Sequence, residues 1–135
     1  GSPLVIIDKS GNLFARSKIA IGELDINKIG DYSLSVKGNA RFNKAVVKPD
    51  TWPDYVFEKN YILPDLKETE KFIRQNKHLP EIPSAAEVEK NGIDLGDNQS
   101  LLLQKIEELT LYVIDLNKKY EILKAQNEKL MIISK

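Results

Sequence analysis

An α+β chain ending in a long helical rod is what the sequence predicts, and three observations predict it. Short β-branched runs broken by glycine fill residues 3–48, prolines and aromatics crowd residues 49–96, and an apolar period of 3.5 runs through residues 97–135. The first predicts short intertwined strands, the second an irregular middle with two short helices, and the third a C-terminal parallel coiled coil. Gly1-Ser2 reads as an expression scar ahead of these three segments.

Leu4-Val5-Ile6-Ile7 stops at the turn signal Asp8-Lys9-Ser10-Gly11-Asn12, and Asn12-Leu13-Phe14-Ala15 follows at once. The pair predicts a hairpin. Ile19 and Ile21 alternate with Ala20 before Gly22, and Leu34 and Val36 alternate with Ser33, Ser35 and Lys37. That spacing puts one face in a core and the other in water. After the turn at Gly38-Asn39, Ala40, Phe42, Val46 and Val47 are expected to continue the pattern. Strands this short rarely hold a core alone, but several chains wrapped together can bring their apolar faces onto a common axis.

In the middle segment, Pro49 and Pro53 bracket Trp52, the single tryptophan, and exclude regular helix there. Trp52, Tyr55, Phe57 and Tyr61 place four aromatics within ten residues. Two readings stay open: a mini-core pinning an irregular loop to the helices, or a platform for a ligand such as a sugar ring. Pro64-Asp65 opens a helix over 64–76, with Leu66, Thr69, Phe72 and Ile73 on one face, ended before Pro80. Ser84 and Glu87 form a capping box for a helix from Ala85 to Lys90, closed by Asn91-Gly92 in the left-handed conformation. Asp97 is then expected to cap the long helix. His78, the lone histidine, sits among prolines and carries no expected chemistry.

Leu102, Ile106, Leu109, Val113, Leu116, Tyr120, Leu123, Asn127 and Leu130 follow one another at spacings of four and three. Ile106, Val113, Tyr120 and Asn127 are a positions, and the five leucines are d positions. At 1.5 Å per residue the segment is a rod roughly 55–60 Å long, too long to fold back on so small a domain. It therefore predicts self-association. Leucine at d with Ile106 and Val113 at a, and the buried asparagine, follow the two-stranded rule. The charges beside the seam do not arbitrate, since Lys105 faces Thr110 and Lys119 faces Lys124. Leu101, Leu103, Leu111, Ile114 and Ile122 are apolar yet off the seam. They predict that the 64–76 helix or the Trp52-to-Tyr61 loop packs on the outer face of the rod's first half. Past Ile122 the exterior is mainly polar, and the last turns are expected to project.

Composition narrows the function classes. Twenty basic residues balance twenty acidic ones. The local balance runs from +3 over residues 1–50 to −3 over 51–96 and zero beyond, so no field recruits nucleic acid. The segment before the heptads, Asn91-Gly92-Ile93-Asp94-Leu95-Gly96-Asp97, is acidic and glycine-broken where a leucine-zipper transcription factor needs a basic helix. No apolar run is long enough for membrane insertion. Cysteine is absent, and no phosphate loop, paired-histidine metal motif or nucleophile elbow occurs. Neither a catalytic residue nor a cofactor or metal ligand is therefore expected.

Three stretches carry a resemblance to a known family. They are Trp52-Pro53-Asp54-Tyr55-Val56-Phe57, then Asn76-Lys77-His78-Leu79-Pro80 with Ile82-Pro83-Ser84-Ala85, and Glu87-Val88 with Asn91-Gly92-Ile93. Together with the terminal coil they resemble a C-terminal module of Bacteroidota proteins described as tail-fibre-domain or cell-surface fibre proteins. Upstream, Ile19-Ala20-Ile21-Gly22 and the run Gly30 to Gly38 look like the β repeats that precede it, so the resemblance spans residues 18–125. It implies a β fibre segment, an extracellular setting in a virion tail, injection apparatus or cell-surface fibre, and a homotrimer, with a dimer as runner-up. The function it implies is a structural fibre terminus that trimerises and registers its chains. The alternative is an adhesin tip binding a host receptor or surface glycan through the aromatic middle segment. In layout the module is also similar to the endosialidase-type intramolecular chaperones that end phage tail spikes. Their self-cleavage motif of serine and lysine is missing, and Ser84 as a cap and Ser100 as a first-turn residue need no such role.

Overall fold

A computed structural model describes Val5–Ile7 and residues 9–15, 17–22 and 30–133 of the chain. Gly1-Ser2, Leu4, Asp8 and the rod's last two residues, Ser134 and Lys135, lie outside the described residues. The chain divides into two units, Gly1–Ala45 and Val46–Lys135. Strands in the first and helices in the second make the layout α+β.

In the first unit, β1 (Val5–Ile7) and β2 (Leu13–Ala15) pair antiparallel, Val5 opposite Ala15 and Ile7 opposite Leu13. Gly11 in the turn between them takes φ of 81°, where an L side chain would be strained. The next two strands, β3 (Ile19–Ile21) and β4 (Leu34–Val36), pair in parallel, Ile19 opposite Leu34 and Ile21 opposite Val36. Gly22 closes this pair: a Cβ there would stand 2.7 Å from the carbonyl oxygen of Lys37. The strands expected at Ala40, Phe42, Val46 and Val47 do not form, and residues 39–50 run without regular structure. Phe42 and Val46 lie in solvent. Alternation alone, with no neighbouring strand to accept the ladder, does not make a strand.

The second unit opens with irregular chain and a 3-10 turn, Pro53–Phe57, started by proline at its first position. Helix α1 (Leu66–Asn76) begins after Asp65, whose carboxylate accepts from the backbone of Lys67 at 2.8 Å and Glu68 at 3.1 Å. Asp65 is thus the cap and Pro64 lies ahead of the helix rather than in its first turn. Lys77, at φ of 65°, ends it in the left-handed region. Helix α2 (Ala85–Asn91) carries the capping box: Glu87 N–H donates to Ser84 Oγ at 3.3 Å, and Ser84 N–H donates to Glu87 Oε2 at 2.8 Å. Gly92 after it has positive φ, 74°, but ψ of −170°, so it leaves extended and not in the left-handed helical conformation expected.

Helix α3 (Leu95–Ile133) is unbroken for 39 residues. Its cap is Asp94, not Asp97: the Asp94 side chain accepts from Asp97 N–H at 2.9 Å, and its carbonyl accepts from Asn98 N–H at 3.1 Å. Gly96 lets the first turn close on the preceding chain, since a Cβ there would stand 2.9 Å from Val47 Cγ1. Enclosed side chains are scarce: Val56, 1% exposed, and Pro53 form the core of the described part of the unit. They sit in the 3-10 turn where it packs on α3.

Candidate functional site

Helix α3 presents two faces of opposite character, and the covered one is polar. Gly96, Ser100, Gln104, Glu107 and Glu108 are its buried residues. They recur at spacings of three and four, so they share one face, opposite the a/d seam. Leu101, Leu103 and Leu111 flank them and are half-buried, whereas Ile114 and Ile122, expected to be covered with them, are exposed. The cover comes from the segment between Thr51 and Pro64, one of the two expected; α1 itself buries none of its side chains. Ser100 lies in the second turn of α3, not the first, and donates to the carbonyl of Thr51 at 2.7 Å.

Two tyrosines of the aromatic cluster reach this face. Tyr55 donates to Gln104 Oε1 at 2.8 Å and Tyr61 to Glu108 Oε1 at 2.5 Å. Their rings stand 5.9 Å apart at 46°. Tyr112 donates to the carbonyl of Pro64. The amide of Gln104 donates to Glu108 Oε1 and to Glu81 Oε2, both at 3.0 Å. Lys105 completes the network, 2.5 Å from Glu81 and 3.2 Å from Glu108. Glu81 reaches across from a turn in which its own φ is 68°. Trp52 and Phe57, the other two aromatics, remain exposed.

The electrostatics follow from this geometry. Burial works against the charge of Lys105, but the carboxylates of Glu81 and Glu108 outweigh it and raise its pKa. Burial also works against the Glu108 carboxylate, yet bonds from Tyr61, Gln104 and Lys105 hold it below the ordinary carboxylate value. The phenol of Tyr61 is pushed up by burial and by its bond to Glu108, and that of Tyr112 by burial and the charge of Glu108. Glu107 differs. Its Oε2 is buried with no hydrogen-bond partner, and burial together with the charge of Asp54 raises its pKa.

The other face is apolar and bare. Leu102, Ile106, Leu109, Val113, Leu116, Tyr120, Leu123 and Leu130 are 41–67% exposed in the single chain, and Asn127 is exposed with them. Beside the first three lies a groove of about 760 Å³, bounded on its other sides by Ile62, Leu66 and Leu79 among others. His78 is stacked edge-on against Phe72, ring centroids 5.4 Å apart, with Nδ1 2.9 Å from the carbonyl oxygen of Leu79. Among the described residues, no cluster of three or more His, Asp or Glu is placed to hold a metal, and no helix is long and apolar enough to cross a membrane.

Polar residues on the outer face of a heptad helix read as solvated, so Gln104, Glu107 and Glu108 escaped the sequence reading. Lys105, read as a charge beside the seam facing Thr110, pairs instead with Glu81 and Glu108 of its own chain. The available signal was Tyr55, Tyr61 and Tyr112, since a buried tyrosine usually finds a hydrogen-bond partner. Comparison with protein-family models, curated proteins and solved structures gives no match to this chain.

Proposed function

We propose that this chain is a structural module that joins copies of itself in parallel through α3 and sets their register. The observation that carries the proposal is the bare stripe of heptad positions from Leu102 to Leu130 on a helix whose opposite face is dressed by its own chain. A stripe of period 3.5 is buried by helices of the same period. We take the assembly as a trimer, because three short-stranded chains close a prism that two do not, and because the resembled fibre proteins imply it. On this reading the module terminates a tail-fibre-like or cell-surface fibre outside the cell, and none of its residues performs chemistry. Replacing Leu116 and Leu123 by aspartate tests it: both face away from the covered part of the helix, so the variant is expected to stay folded in its middle segment and to lose assembly.

A second reading, an adhesin tip for a receptor or surface glycan, is favoured by one observation. Trp52 and Phe57 stay more than half exposed while Tyr55 and Tyr61 are engaged with α3. Glycan-array binding by the wild type that Trp52→Ala abolishes without changing the assembled mass would establish it; no binding by either protein would leave the structural role alone.

A further inference from the structure

The groove beside the seam has a geometry that the assembly reading does not require. Leu102, Ile106 and Leu109 line it from α3, and Ile62, Leu66 and Leu79 line it from the segment that wraps the helix. We propose that this groove receives helix α3 of a second copy, so that residues 62–80 of each chain clasp the rod of a neighbour. The inference rests on the reading of α3 as an assembly helix.

Three observations select that occupant. First, three of the lining residues are themselves heptad positions, and the same stripe continues past the groove to Val113, Leu116 and beyond. A helix lying along that stripe passes through the groove; a small ligand would leave the rest of the stripe bare. Second, the polar groups lining the groove are already satisfied within the chain. Tyr55 is bonded to Gln104, Tyr61 to Glu108, and Lys105 to both Glu81 and Glu108. None of them is left to recruit a polar ligand, and Lys105 is matched before another helix covers it. What the groove offers is apolar surface. Third, Ile62 is 88% exposed and Leu66 is 56% exposed in the single chain, adjoining a seam that is itself uncovered. A contiguous apolar patch of this kind marks an interaction surface.

The high exposure of Ile62 also makes the test clean, because truncating it removes no packing from a lone chain. The full chain, Ile62→Ser, Ile62→Ser with Leu66→Ser, and Leu116→Ser are compared by light scattering over a dilution series, with helix content followed by circular dichroism. The expected result is that the double variant keeps its helix content at high concentration while its midpoint of dissociation rises about tenfold or more, the scale for uncovering one large aliphatic side chain. Ile62→Ser alone moves the midpoint in the same direction. If Leu116→Ser weakens assembly but the groove variants dissociate like the wild type, the clasp is overturned and the seam stands. If the wild type is monomeric throughout, the seam reading fails and the clasp fails with it. If the groove variants lower the helix content of the monomer, the groove residues serve the chain's own fold and the clasp is again overturned.

Discussion

Glu107 is the acid that the covered face of α3 does not satisfy. Its pKa is raised by burial and by Asp54, so the folded chain binds its proton more tightly than the unfolded chain does. The sign follows from linkage: its contribution to stability is full below the ordinary carboxylate value of about 4.3 and is lost as pH rises through the folded value. Glu108 runs the other way. Its lowered pKa gives stability that is present above the ordinary value and is lost as pH falls through the folded one. Substituting Glu107→Gln removes the charge from the unfavourable site. The variant is expected to unfold close to the wild-type temperature at pH 4 and above it at pH 8, on the order of 1 kcal/mol more stable, the scale of an unsatisfied buried polar group. Thermal melts at the two pH values check this, and a variant no more stable than wild type at pH 8 would count against a charged, unpaired Glu107.

At the scale of elements, what was local in sequence was legible and what needed a distant partner was not. The Ser84–Glu87 capping box spans three residues and forms as its spacing predicts. Asp94 and Asp97 are both good caps by composition, and the choice falls to Asp94 because Leu95 and Gly96 join the helix, Gly96 fitting against Val47. Asp94→Ala is therefore expected to cost about 1 kcal/mol, and Asp97→Ala less, in thermal unfolding. The strands expected at residues 40–47 failed for the converse reason, since a strand is completed by a neighbour that sequence alternation does not supply. The outer face of α3 was legible only through its leucines. Leu111 is half-buried on that face, and Leu111→Lys is expected to destabilise the Val46–Lys135 unit by about 1–3 kcal/mol, the range for placing a charge at a packed site. Unchanged thermal stability would detach the Thr51-to-Pro64 cover from the helix energetically.

At the scale of the molecule, the described residues of a single chain enclose little. Val56 and Pro53 are nearly all that the described residues shield fully, while large apolar side chains stand in solvent from Leu102 to Ile133. On the proposed assembly through α3, burial of these side chains between copies would add stability that depends on the chain's concentration. The α+β order was readable from three changes of pattern along the sequence. The β1–β2 hairpin was readable as well, because its turn is local. The parallel pairing of β3 with β4 and the burial of a polar network beneath tyrosines were not, because both depend on contacts between residues distant in the chain, such as Tyr55 with Gln104. The number of chains is where the heptad rule and the β segment point apart, toward two and three. The mass of the wild-type chain in solution, by multi-angle light scattering, tests the account most directly. It predicts about 46 kDa, three copies of 15.3 kDa. A mass near 31 kDa, twice 15.3, would contradict the trimer, and 15.3 kDa at every concentration would contradict assembly through α3 altogether.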